Sequence, residues 1–376
     1  MDNQDDMIKM FMDNISKIME NLKKPNIIVV GKTGVGKSTL INNVFREQLA
    51  ETGSGEPVTM HLRRLERDDI PVVLYDTRGL ELKEEVQDQI KTEIVDVIHE
   101  SRRGGDEGKY IHAIWYCINA QSNRLETVEK DLITYLSGEV EVPIFIVLTQ
   151  CFLNKQAQEF IHSLENMNMA IKGIVPVMAE DFEIMPGQVM HAYGLDKLVE
   201  MTYREIPESV QRGFINAQKV NIEAKEKAAR KWVRAYITST FATGFSPIPG
   251  SDAPLLVTQQ VAMLAHITSI FGLKMDKAIL TTTVSSLLGS GMASLAGKTI
   301  VSNLLKLIPG VGTIVGGMIS GTTAAVLTAS MAEAYIQLMV KITKNGNQKE
   351  LKENQKAFEE LGKMFEEELK KGTKTV

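Results

Sequence analysis

Gly31, Gly36, Lys37 and Ser38 are spaced as G-x-x-x-x-G-K-S within the stretch Gly31-Lys32-Thr33-Gly34-Val35-Gly36-Lys37-Ser38-Thr39. Residues of these types at this spacing suit one kind of chemistry. Backbone N–H groups of a glycine-rich loop wrap phosphate oxygens, the lysine reaches the terminal phosphates, and the hydroxyl holds magnesium. The flanks supply the context the pattern needs: Asn26-Ile27-Ile28-Val29-Val30 reads as a β-branched strand, and Ser38–Phe45 as the helix that follows. The bland alternative is a decayed loop that keeps only the turn.

A nucleotide held in this way calls for a carboxylate and a hydroxyl from later in the chain. The apolar run Val72-Val73-Leu74-Tyr75 leads into Asp76-Thr77-Arg78-Gly79, a D-x-x-G pattern. There Asp76 joins the magnesium shell and the Gly79 N–H faces the terminal phosphate. Between the two motifs lies the flexible segment Gly53–Thr59, in which Thr59 ligates magnesium only when a γ-phosphate draws the loop in, with Thr52 and Ser54 as nearby competitors. Ser38, Thr59 and Asp76 are therefore the expected metal ligands. Lys37, Thr59, Arg78 and Gly79 are the expected groups at the reacting phosphate, Arg78 as an arginine finger or else as a solvated side chain in a mobile loop.

The combination resembles the regulatory-type GTPases of bacteria related to the Era-like and immunity-related branches, over about residues 24 to 205. Gly31–Thr39 looks like their first motif, Thr59 their second, Asp76–Gly79 their third, and Val177-Met178-Ala179 sits where their fifth motif contacts the base. The resemblance implies bound GTP or GDP with magnesium, with Thr149, Gln150 and Ala179 on the base side. Two positions depart from the pattern. Thr149-Gln150-Cys151-Phe152 stands where T/N-K-x-D is usual, so Phe152 replaces the carboxylate that pairs with the guanine edge. Discrimination against adenine is then expected to weaken or to come from backbone near Ala179. Leu80 follows the D-x-x-G where many GTPases place a water-orienting glutamine. Slow intrinsic turnover is expected, with the missing group supplied by a partner, a second G domain or Arg78.

The elements that must position these residues follow from periodicity. The 376 residues suggest about two domains. Apolar runs at Ile27–Val30, Ile70–Tyr75, Ala113–Ile118, Val142–Leu148 and Ile171–Val177 alternate with helix-length segments, the rhythm of a parallel sheet wrapped by helices. The expected fold is an α/β P-loop NTPase, a G domain with a mostly parallel sheet, followed by an all-α C-terminal domain. Its boundaries are expected at 1–23 for an amphipathic N-terminal helix, 24–205 for the G domain and 206–376 for the helical domain. The N-terminal helix carries Ile8, Phe11, Ile15, Ile18, Met19 and Leu22 on one stripe, and docking on the C-terminal domain is expected. Gln218–Tyr236 reads as a charged helix carrying Lys219, Lys225, Lys227, Arg230, Lys231 and Arg234, its basic face including Trp232; a solvated face is expected, with contact to an anionic membrane as the alternative. The region from Thr243-Gly244-Phe245-Ser246-Pro247 onward is similar to a bacterial helical domain of unknown function found behind such G domains.

Three uncharged stretches, Ala253–Leu273, Ala278–Gly297 and Leu307–Ala332, pass the length that prompts a membrane reading. Their Thr, Ser, Gly, Ala and Gln content keeps mean hydropathy modest, while Gly312, Gly316, Gly317 and Gly321 have the small-residue spacing of close-packed helices in lipid. A bilayer hairpin turned at Pro309-Gly310 and a soluble bundle core both stay open. The net charge of −5 gives no general attraction for nucleic acid, and two cysteines, Cys117 and Cys151, suit a reducing cytosol. The expected partners are a guanine nucleotide, a second copy through the G domain and a membrane through the helical domain. The expected place is the cytoplasm or the cytoplasmic face of a membrane. The competing functions are a GTP-hydrolysing switch, a non-hydrolysing nucleotide-binding module, and an NTPase with relaxed base choice.

Overall fold

The structure is a computed structural model and describes residues 2–46, 49–52, 54–77, 84–242, 252–273 and 321–344, with Met364, Glu367, Glu368 and Lys371. The chain forms two compact units, Leu22–Asn221 and a second made of Met1–Asn21 with Ile222–Val376.

The first unit is built on seven strands: β1 (Asn26–Val30), β2 (Ser54–Pro57), β3 (Leu62–Arg67), β4 (Ile70–Thr77), β5 (Ile111–Asn119), β6 (Ile144–Thr149) and β7 (Gly173–Pro176). Their order is β2-β3-β4-β1-β5-β6-β7. The five strands from β4 to β7 run parallel, and β2 and β3 add antiparallel strands at one edge. All five expected apolar runs are strands of the parallel part. Strand β1 lies between β4 and β5, and all five of its residues are buried. Side chains alternate along a strand, so Ile27 and Val29 enter one core while Ile28 and Val30 enter the other.

The first core is closed by α2 (Lys37–Val44), α3 (Leu49–Thr52), α7 (Leu195–Glu205) and α8 (Glu208–Ala217). In it Phe45 stacks on Trp115 at 5.8 Å between ring centroids and meets Phe214 edge-on, and the Trp115 indole donates to Thr202 Oγ1 at 3.0 Å. The second core is closed by α4 (Glu84–Arg103), α5 (Thr127–Glu139) and α6 (Lys155–Glu165). Burial on both faces is what makes these strands read as unbroken apolar runs. The segment 206–221, expected with the helical domain, packs on the sheet instead. Val210, Phe214 and Ala217 lie in the first core, so this unit continues to Asn221. A small hairpin, β8 (Phe182–Met185) with β9 (Gln188–Met190), follows β7.

Among the described residues, the second unit contains α1 (Asp2–Glu20), α9 (Ile222–Ala242), α10 (Asp252–Phe271) and α11 (Gly321–Lys344). Ile8 and Phe11 of α1 are buried among Val261, Leu264, Phe271, Tyr335 and Met339, so the N-terminal helix docks on the C-terminal helices. The expectation of a solvated basic face fails at Lys225. This residue is fully buried, and its ammonium donates to the carbonyls of Ile270 and Phe271 at 3.1 Å, satisfying the end of α10 where carbonyls lack helical partners. Trp232 stacks on His266 and Tyr236, with centroids 3.8 and 5.0 Å apart. Arg230 makes a two-bond contact to Glu333, at 3.0 and 2.7 Å. Among the described residues no helix is long and apolar enough to cross a membrane. The stretch 278–297, the turn at Pro309-Gly310 and Gly312, Gly316 and Gly317 lie outside the described residues.

Candidate functional site

Strand β1 is the point where the order of the parallel strands reverses, and ligands of such sheets bind outside the carboxyl ends there. The loop leaving β1 is the glycine-rich stretch. Gly31 has φ 151°, and a Cβ built on it would lie 2.5 Å from the Cys117 carbonyl oxygen, so only glycine lets the loop pass β5 this closely. Gly36 has φ 93° and caps α2 with no side chain, and the first turn of α2 contains no acidic residue. The first N–H groups of α2 are thus left to an anion, with the positive end of the helix dipole behind them.

Lys37 is buried to 9% exposure, and its Nζ donates to the carbonyls of Gly31 at 2.7 Å and Lys32 at 3.2 Å, which holds the ammonium over the loop. Asp76 Oδ1 lies 4.0 Å from Lys37 Nζ. The register Val29↔Asp76 between β1 and β4 sets this approach. Next to it, Thr77 ties the two strands together: its hydroxyl donates to Val29 O and accepts from Gly31 N–H, both at 3.3 Å. Thr33 and Gly34 are exposed on the loop and Ser38 in the first turn of α2, whereas Val35 is buried. Lys32 turns away to α5, where its ammonium pairs with Glu126 at 3.1 Å and Glu129 at 3.3 Å. Cys117, behind the loop, is fully buried, and burial pushes its thiol up to about 12. It is therefore an inert packing group rather than a nucleophile.

The residues expected on the base side lie at the end of β6. Thr149 is buried, and its hydroxyl lies 2.5 Å from Val35 O and 3.1 Å from Ile118 O, fastening the glycine-rich loop to the end of β6. Gln150 adopts φ 51° and its side-chain amide nitrogen lies beside Gly36. The amide of Asn119 donates to Gln150 Oε1 at 3.2 Å, and Gln121 Nε2 donates to Gln150 O at 3.0 Å. Cys151 N–H donates to Val177 O at 3.1 Å, and the Tyr193 hydroxyl donates to Cys151 O at 2.6 Å. The β6 loop and the 177–179 segment are thereby joined, and Ala179 is half-buried at their junction. Phe152 meets Phe182 of β8 edge-on at 5.1 Å, an apolar contact at the position where the usual pattern has a base-reading carboxylate.

The hairpin between β2 and β3 carries Thr59. Its hydroxyl bonds to a Glu93 carboxylate oxygen of α4 and accepts from Leu62 N–H at 3.0 Å. The register Arg63↔Asp76 brings this hairpin to the same end of β4 as Asp76. Arg78, Gly79 and Leu80 lie outside the described residues. The spacing did not reveal Glu93, Asn119, Gln121, Glu126 or Tyr193. Only Glu126 gave a local signal, as half of a capping box with Glu129 at the start of α5.

Residues 26–150 match the family described as a 50S ribosome-binding GTPase. Over these residues the chain is similar to the G domains of that family. Behind the G domain, residues 211–362 match a domain of unknown function, DUF697. The chain is 27% identical to GTPase Era of Clostridium botulinum (strain Langeland) over 188 residues, 49% of this chain and 56% of that protein. It is 36% identical to the probable GTP-binding protein EngB of Methanococcus aeolicus over 84 residues, 21% and 36% of the two chains. It is 22% identical to magnetosome membrane protein 22 of Magnetospirillum gryphiswaldense over 113 residues, 30% and 58%. The chain thus spans between 36% and 58% of these curated relatives.

The loop of the G domain fits a nucleotide and its metal by its own geometry. Glycine conformations at Gly31 and Gly36 leave a cradle without side chains, and Ser38, Asp76 and Thr59 offer the hard oxygen donors that magnesium prefers.

Proposed function

We propose that the protein is a magnesium-dependent GTP-binding and GTP-hydrolysing switch whose helical unit responds to the nucleotide. The observation that carries this reading is the constellation at β1: an α2 terminus without a side-chain cap, a loop open at Gly34, and a Lys37 ammonium held 4.0 Å from the Asp76 carboxylate. Loop N–H groups and Lys37 bind and orient the phosphates, while Thr149 and Thr77 hold the loop rigid so that little reorganisation accompanies binding. Ser38 and Asp76 would hold magnesium, joined by Thr59 in the triphosphate state. When bound, the ion neutralises charge on the β- and γ-phosphates. Turnover by the chain alone is slow, since Leu80 cannot orient water.

Release of inorganic phosphate from GTP under single-turnover conditions tests the reading, with Lys37→Ala as the blank. Phosphate release by the wild type and none by the variant supports it, and equal signals remove it. Membrane association through the helical unit is the finer part of this proposal, supported by the name of the magnetosome relative. Flotation with anionic vesicles that differs between GTP and GDP supports it, and flotation equal in both states counts against it.

The Phe152 to Phe182 contact favours a second reading, an NTPase of relaxed base choice. Competition of ATP for bound GTP at comparable concentration separates the two.

A further inference from the structure

Glu93 belongs to no motif, lies in the middle of α4, and gathers three hydrogen bonds from the tip of the β2–β3 hairpin. One carboxylate oxygen takes the Thr59 hydroxyl and the His61 N–H, the latter at 3.1 Å; the other lies 3.0 Å from His61 Nδ1. The hairpin itself is tight: Val58 and Thr59 N–H groups both donate to Leu62 O, at 2.9 and 3.2 Å. The Thr59 proton is thus committed to Glu93, and one of its lone pairs to Leu62 N–H.

We propose that Glu93 is a positioning residue that latches Thr59 to α4 and so competes with the nucleotide-bound cation for the same hydroxyl. The inference rests on the switch reading above. Drawing Thr59 to a magnesium ion breaks the Thr59 bond and with it the closed hairpin tip, and α4 is the helix that follows the D-x-x-G segment. The latch therefore couples the β2–β3 hairpin to α4 directly. Only a triphosphate recruits Thr59, so the latch lowers the population competent for triphosphate and leaves GDP affinity untouched, which places it in the apparent affinity of one nucleotide alone.

The test is equilibrium titration of a non-hydrolysable GTP analogue and of GDP, each with magnesium, on the full-length wild type, Glu93→Ala, Thr59→Ala and the double variant. Glu93→Ala is expected to tighten the analogue about tenfold, equivalent to about 1.4 kcal/mol, with GDP within about twofold. The gain is expected to vanish in the Thr59→Ala background, as coupled neighbours require. Without nucleotide, hydrogen exchange at the His61 and Leu62 amides is expected to accelerate in Glu93→Ala. Glu93→Gln, which keeps volume and one acceptor, covers the case in which the alanine variant fails to fold, and is expected to give a smaller gain of the same sign. Weaker analogue binding, equal tightening of both nucleotides, or a gain that survives Thr59→Ala each overturns the latch. A wild type that binds neither nucleotide overturns the switch reading and the latch together, whereas normal nucleotide binding with no response at Glu93 overturns the latch alone.

Discussion

Replacing Thr149 by valine keeps the side-chain volume and removes the hydroxyl that fastens the phosphate loop. Thr149 is 2% exposed, and its hydroxyl oxygen lies 2.5 Å from the Val35 carbonyl. A methyl group needs more room than this gap, and it leaves a buried carbonyl without the donor it had. Such a loss costs about 1–3 kcal/mol, and it falls on the loop conformation that receives phosphate. Taking about 1.4–2 kcal/mol as the share borne by the loop, nucleotide affinity drops about 10- to 30-fold, because the competent fraction enters the apparent affinity directly. Thr149→Ser is the opposite perturbation. It keeps the hydroxyl and deletes a methyl, costing about 0.8 kcal/mol of stability with affinity within about twofold. Titration with a fluorescent GTP analogue beside urea unfolding separates the two variants. Wild-type affinity in the valine variant, or an equal affinity loss in the serine variant, refutes the view that the Thr149 hydroxyl sets the loop.

Gly31→Ala places a Cβ 2.5 Å from the Cys117 carbonyl at φ 151°, and a loss of about 2 kcal/mol or more in urea unfolding is expected. Phe152→Asp restores a carboxylate at the base edge, and two charge-assisted bonds to guanine are expected to raise the preference for GTP over ATP by about 10- to 100-fold in competition titrations. In the helical unit, the hydrogen bonds from Arg230 hold the Glu333 carboxyl below its ordinary value of 4.5 against the opposing effect of burial, with Gln337 assisting. A depressed folded value means that the stabilisation is present above the ordinary value and is lost as pH falls through the folded one. The difference in urea midpoint between wild type and Glu333→Gln is therefore expected to be constant near neutral pH and to shrink as the pH drops below about 4.5.

What the sequence made legible follows from what each residue had to do alone. Strands β1, β5 and β6 are buried on both faces, so their composition is apolar whatever their neighbours are. The phosphate loop is legible because its backbone conformations require glycine at Gly31 and Gly36. Strands β2 and β3 are not, since an edge ribbon such as Ser54-Gly55-Glu56-Pro57 and Leu62-Arg63-Arg64-Leu65-Glu66-Arg67 is held by backbone pairing and by ion pairs such as Lys24 with Glu66 at 2.7 Å. Hairpin β8–β9 escapes for the same reason, with Phe182, Ile184, Met185 and Val189 exposed. Lys225 looked solvated because a helix of mixed charge does not reveal which lysine meets the end of another helix. The partnership of Thr59 with Glu93 joins residues 34 positions apart, and folding alone brings them together.

The most direct test of a GTP-driven switch is calorimetric titration of the purified protein with GTP in magnesium, beside Lys37→Ala and beside ATP. Binding of one GTP per chain that weakens on chelation of magnesium and is lost in Lys37→Ala is the expected result. Equal heats in wild type and Lys37→Ala, or no binding of any nucleotide, would contradict the assignment of the β1 loop as the phosphate site.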